Sequence, residues 1–141
     1  MIHTGAIMAF RLLDERGFEP DEVAIVATAI GNHDEGTGVP VNDVAAALIL
    51  ADKCDVRRSR VRSKDFATFD IHDRVNYSVT ASSLSIDKDS STALLELSID
   101  TEVCAIMDYF EIFMGRMLMC RKAAHRLGLK FALVVNGQEI M

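Results

Sequence analysis

Apolar residues recur at helical spacing through the first part of the chain. From Ile2 to Arg16, the residues Ile7, Met8, Phe10, Leu12 and Leu13 make a broad stripe, and Gly17 is a natural C-terminal stop. Pro20 then opens a second helix, with Asp21 and Glu22 in the first turn where carboxylates complement the helix dipole. Val23, Ile25, Val26, Ala27 and Ile30 follow, so this helix is predicted to be almost wholly buried. Gly36, Gly38 and Pro40 break the pattern as a tight connection between helices. Asn42 is placed to cap a third helix, with Asp43 in its first turn and Val44 to Leu50 as its Ala-rich body. His33 therefore falls at a helix end and Asp52 inside a later helix.

The period changes after Arg62. Val75, Tyr77, Val79 and Ala81 alternate with Asn76, Ser78, Thr80 and Ser82, which predicts a half-buried strand. Leu84 and Ile86 have the opposite parity, so a bulge is expected near Ser82 or Ser83. Asp87 to Ser91 reads as a turn, and Ala93, Leu95, Leu97 and Ile99 line one face of a second strand. Asp100 is placed to cap a long helix through Leu127. Its stripe is Ile106, Phe110, Phe113, Met117 and Ala124, widened by Met107, Met114, Leu118 and Met119, and Gly128 ends it. Phe131 to Val135 is a last short strand. The pattern predicts the α+β class: a helical segment over residues 1–64, then a strand-strand-helix-strand unit over 70–141, with Ser63 to Phe69 as the boundary.

Half of the 141 residues are hydrophobic, enough for one domain or for two small units that share an interface. A net charge of −6 argues against a nucleic-acid or membrane-surface binder, so any affinity for phosphate must be local. Local basic charge exists: Arg57, Arg58, Arg60, Arg62 and Lys64 form a run, with Arg58 and Arg62 on one helical face. Arginine forks suit phosphate oxygens, and they equally suit pairing with Asp52, Asp55, Asp65 or Asp70. Cys54, Cys104 and Cys120 are odd in number and widely spaced, which reads as reduced core thiols rather than a disulfide framework or zinc knuckle. No basic leader and no long uncharged apolar run is present, so a cytoplasmic location is the expectation.

Candidate chemistry gathers around Ile30 to Pro40 and Ala51 to Asp55. His33 and Asp52, with His3 upstream, offer imidazole and carboxylate donors of the kind that bind hard or borderline divalent metals, and a full site needs more ligands than these three. The pair His72-Asp73 lies in a polar stretch after Asp52 and reads as a coincidence of sequence. His125, near the end of the long helix, reads as a cation favourable to the helix C-terminus.

His3 with Gly5-Ala6 and Ala9, then Ile30 to Gly38 around His33, then Ala46 to Arg57 with Ala51-Asp52-Lys53-Cys54-Asp55, resembles the later half of the HD-domain superfamily of metal-dependent phosphohydrolases. The match covers the first 62 residues or so, and its force lies in the order and spacing of the pieces. The resemblance implies an all-helical segment that acts on a phosphate ester or anhydride, a nucleotide among the candidates. It implies His3 and His33 as the later histidine ligands of a divalent metal (Mn, Fe, Mg, Ni or Zn) and Asp52 as the closing aspartate, while Arg58 and Arg62 are the phosphate-binding candidates. The family's early histidine and His-Asp dyad have no counterpart ahead of His3, so this chain is expected to bind metal weakly or not at all. The alternative is a non-catalytic ligand-sensing or dimerising protein that retains HD-domain remnants. The expected partners are a phosphorylated small molecule and, through the apolar breadth of the Ile106 to Met119 helix, a second copy of the chain; neither nucleic acid nor membrane is expected.

Overall fold

The computed structural model describes residues 2–36, 38–56, 58–61 and 70–141. It has the α+β class that the pattern predicts, with five α-helices and a four-stranded mixed sheet among the described residues. The helices α1 (Ile2–Glu15), α2 (Pro20–Gly31) and α3 (Asp43–Lys53) come first, followed by a single 3₁₀ turn at Arg58–Arg60. Then come α4 (Ile71–Ser78), the hairpin β1 (Val79–Asp87) and β2 (Thr92–Ile99), α5 (Ile106–Arg126), and a second hairpin of β3 (Lys130–Val135) and β4 (Gln138–Glu139). Strand order follows chain order, β1 to β4, and only the β2–β3 pair is parallel. A parallel neighbour needs a crossover, and α5 supplies it.

Several local rules are visible in the result. Gly17 and Gly128 end α1 and α5 at positive φ, 75° and 74°, where a side chain would be strained. Asn42 accepts a hydrogen bond from the Ala45 amide at 2.7 Å, capping α3, and its own amide donates to Ile25 O and Thr28 Oγ1 at 3.3 Å each. One side chain thus starts α3 and ties it to α2. On β2, Ala93, Leu95, Leu97 and Ile99 are all buried, as their alternation requires.

Other expectations need correction. Val75 to Ser78 is helix rather than strand: Asp70 caps α4 by accepting from the Asp73 amide at 2.8 Å, and Val75 and Val79, both buried, are spaced for one face of a helix as well as of a strand. The irregularity in β1 falls between Val79 and Ala81, earlier than Ser82. Asp100 caps a short turn instead of the long helix. Its carboxylate accepts from the Glu102 amide and its carbonyl from Val103 and Cys104, which tucks Cys104 into the core and delays α5 until Ile106. The C-terminal unit has a fourth strand, made by the Asn136-Gly137 turn at φ 50° and 79°. Helix α2 is not wholly buried: Val23 and Ala29 are buried, Val26, Ala27 and Ile30 are half-buried, and Ile25 is exposed.

The buried cluster is continuous. It runs from Ala46, Ile49 and Leu50 on α3 through Tyr109, Phe113, Met117 and Cys120 on α5 to Leu95 and Leu133 in the sheet. Helix α5 is the shared wall, packed on β3 and on α3. The predicted boundary from Ser63 to Phe69 lies outside the described residues. Helix α1 stands apart from this core: Ile7, Met8, Phe10 and Leu12 are all about half exposed or more, with Met8 at 66%.

Candidate functional site

Two cations and two carboxylates meet where the turn after α2, the end of α3 and the middle of α5 come together. Lys53, in the last turn of α3, holds its Nζ 2.6 Å from Asp52 Oδ2 and 3.8 Å from Glu35 Oε1. Arg116 on α5 reaches the same Glu35 oxygen with Nε at 2.8 Å and Nη2 at 2.7 Å. Its guanidinium also lies over the Phe113 ring at 4.2 Å, a stacking contact that fixes the plane of the fork. Lys53 and Arg116 are largely withdrawn from solvent, with side chains 9% and 19% exposed, whereas Glu35 is 36% exposed. A cleft of about 270 Å³ opens beside them, lined by Asp52, Lys53, Asn76 and Arg116.

The turn that delivers Glu35 is built around Gly38. Its amide donates to Asp34 O at 2.9 Å, and a Cβ there would collide with the carbonyls of Asp34 and Asn32 and with Met119 Cε of α5. Only glycine allows the segment to fold back this tightly against α5. On the other side, Ser82 donates to Cys54 O at 2.6 Å and holds β1 to the end of α3.

The three candidate metal ligands do not gather at one point. His3 lines an open groove between α1 and α2, with Phe10, Ala27 and Asn32 on its walls. His33 sits just beyond α2 with Nδ1 2.6 Å from Ile30 O, which orients the ring as a carbonyl partner orients many ligating histidines. Asp52 is engaged by Lys53. Among the described residues no three His, Cys, Asp or Glu side chains gather into a group that could hold a metal ion.

Of the two phosphate-binding candidates, Arg58 is committed to the fold. It donates to Tyr77 O at 2.7 Å, lies over the Tyr77 ring at 4.2 Å, and approaches Asp100 at 3.7 Å, a partner that the sequence did not suggest. Arg62 lies outside the described residues, as do Arg57, Lys64 and Asp65. His72 is exposed and Asp73 sits in the first turn of α4, while His125 is in the last turn of α5.

Behind the cleft, α3 and α5 are joined by thiols. Cys54 and Cys120 are buried and free, with sulfurs 3.8 Å apart, and their mutual contact together with burial pushes the Cys120 thiol well above its ordinary value. Tyr109 is fully buried and its hydroxyl has no hydrogen-bond partner among the described residues; burial raises the phenol far above its usual range.

The sequence reading missed Glu35, Lys53 and Arg116 as site residues. One signal was available: Arg116 is a lone cation beside Phe113 and Met117, which lie on the buried face of α5. No protein-family model, curated protein or solved structure matches this chain.

Proposed function

We propose that these residues are the later portion of an HD-type phosphohydrolase domain that acts on a phosphate ester or anhydride, with nucleotides among the candidate substrates. One observation carries the reading: the two segments that bear the resemblance, the turn with His33, Asp34 and Glu35 and the end of α3 with Asp52 and Lys53, are joined through Lys53 and Glu35 at the edge of one polar cleft. In this reading His3, His33 and Asp52 are metal ligands. The metal's chemistry would be to activate water and polarise the phosphoryl group. Within the chain, the Ile30 carbonyl orients His33, Lys53 holds the Asp52 carboxylate, and the cleft admits the phosphate. The early histidine and the His-Asp dyad that the resemblance calls for must be supplied from outside this set.

The second reading, a non-catalytic ligand-sensing or dimerising protein, is favoured by the exposed apolar residues of α1. The coding DNA directly upstream of Met1 separates the two. An in-frame stretch encoding a helix with a His-Asp pair is the expected result, and an upstream stop codon supports the second reading. Purified chain loaded with Mn²⁺ and given nucleotides and p-nitrophenyl phosphate should show no turnover. Turnover that disappears in His33→Ala would overturn the claim that the ligand set is incomplete.

A further inference from the structure

We propose that Lys53 and Arg116 form a binding site for a phosphate-type oxyanion, in which the Glu35 carboxylate is the resting counter-ion that the ligand displaces. The inference rests on the phosphohydrolase reading only for the choice of phosphate, and it assigns a ligand-binding role to α5, which lies outside the segments bearing the resemblance.

The geometry of the ion pair is the first support. An arginine paired with a carboxylate for its own sake tends to meet it side-on, each nitrogen on its own oxygen. Here Nε and Nη2 of Arg116 both converge on Oε1 of Glu35, and Lys53 Nζ faces that same atom. A single oxygen at the focus of a guanidinium and an ammonium is the position that a terminal phosphoryl oxygen would take.

Mobility is the second. Both cations are pinned without Glu35: Lys53 by Asp52 at 2.6 Å, and Arg116 by its stacking on Phe113. Glu35 is the most exposed of the three and comes from a turn rather than from a helix. It can therefore swing outward while the cations stay in place.

Charge and space are the third. At rest the two cations are balanced by Asp52 and Glu35. Once Glu35 leaves, one positive charge is left uncompensated, which an entering oxyanion neutralises, and Asn76 in the cleft wall offers an amide donor to a further oxygen. Asp52 shares that wall with its Oδ2 on Lys53, so the ligand enters from the Arg116 side. The cleft of about 270 Å³ is at the small end of ligand pockets, which suits a phosphate and the first atoms of the group it is attached to.

The test is a calorimetric titration of the 141-residue protein with inorganic phosphate in EDTA at low ionic strength, repeated for Glu35→Gln, Arg116→Gln and Arg116→Lys. Glu35→Gln removes the internal competitor and should tighten phosphate binding by about fivefold or more, while Arg116→Gln should weaken it by about tenfold and Arg116→Lys by less. Acetate should bind more weakly than phosphate to every form. A purely structural ion pair predicts the reverse for Glu35→Gln, a lower melting temperature with no gain in phosphate affinity, and that result overturns the proposal. If Arg116→Gln does not fold, Glu35→Gln alone decides by the same criterion. Since the titration excludes metal, its failure leaves the metal-ligand reading standing, and failure of hydrolysis elsewhere leaves this site standing.

Discussion

Arg116 Nη2 lies 2.7 Å from Glu35 Oε1, an ion pair that joins α5 to the turn after α2 across 81 positions of sequence. It is one of the ties between the helical segment and the C-terminal unit, beside the polar cleft that Arg116 lines. Partly buried charges of this kind are worth more than a surface pair and less than a fully desolvated one. A double-mutant cycle with Glu35→Gln and Arg116→Gln, read by urea denaturation, should give a coupling of about 1 kcal/mol. Strict additivity would show that the pair is not formed in solution.

Gly38 sets the path of that turn. A methyl group there meets the Asp34 and Asn32 carbonyls and Met119, and backbone carbonyls cannot move aside as a flexible side chain can. Gly38→Ala should therefore cost about 1–3 kcal/mol in denaturation. A neutral outcome would mean that the segment has room the structure denies it.

Much of the fold was legible because it depends on neighbours in sequence. Asn42 is followed by an uninterrupted helical body, and Ala93, Leu95, Leu97 and Ile99 alternate without ambiguity. Val75 and Val79 show the limit: their spacing serves two periods, and the Asp70 cap decides for helix. The Asn136-Gly137 turn was legible in principle, since that dipeptide is a strong hairpin signal. The cleft was not. Glu35, Lys53 and Arg116 are brought together by packing of α3 on α5, and no local pattern encodes which glutamate an arginine so far along the chain will meet. Arg58 illustrates the converse, a basic residue in a suggestive run whose fork serves the Tyr77 carbonyl.

Tyr109 carries a buried hydroxyl without a partner among the described residues, and its ring meets Phe110 and Phe113 edge-on at 5.7 and 5.1 Å. Tyr109→Phe keeps both ring contacts and removes the desolvated oxygen. Stability should rise by about 1 kcal/mol. A loss measured by thermal or urea denaturation would show that the hydroxyl is hydrogen-bonded after all.

The contrast between α1 and the sheet is equally testable. Phe10 is half exposed on a helix whose neighbour is α2, and Leu95 is fully buried between the sheet and α5. Phe10→Ser should cost no more than about 0.5 kcal/mol, and Leu95→Ala about 2–5 kcal/mol. Comparable costs would mean that α1 is covered in solution.

In the proposed function, the turn after α2 and the end of α3 are parts of one phosphohydrolase site. The most direct test is the turnover of nucleotides and p-nitrophenyl phosphate by the Mn²⁺-loaded protein extended with its upstream coding sequence, compared with the same protein carrying His33→Ala or Asp52→Asn. Hydrolysis by the extended protein and its reduction to background in each variant, with folding intact by circular dichroism, is the expected result. Undiminished turnover in Asp52→Asn, or none by an extended protein that contains an upstream His-Asp pair, would contradict it.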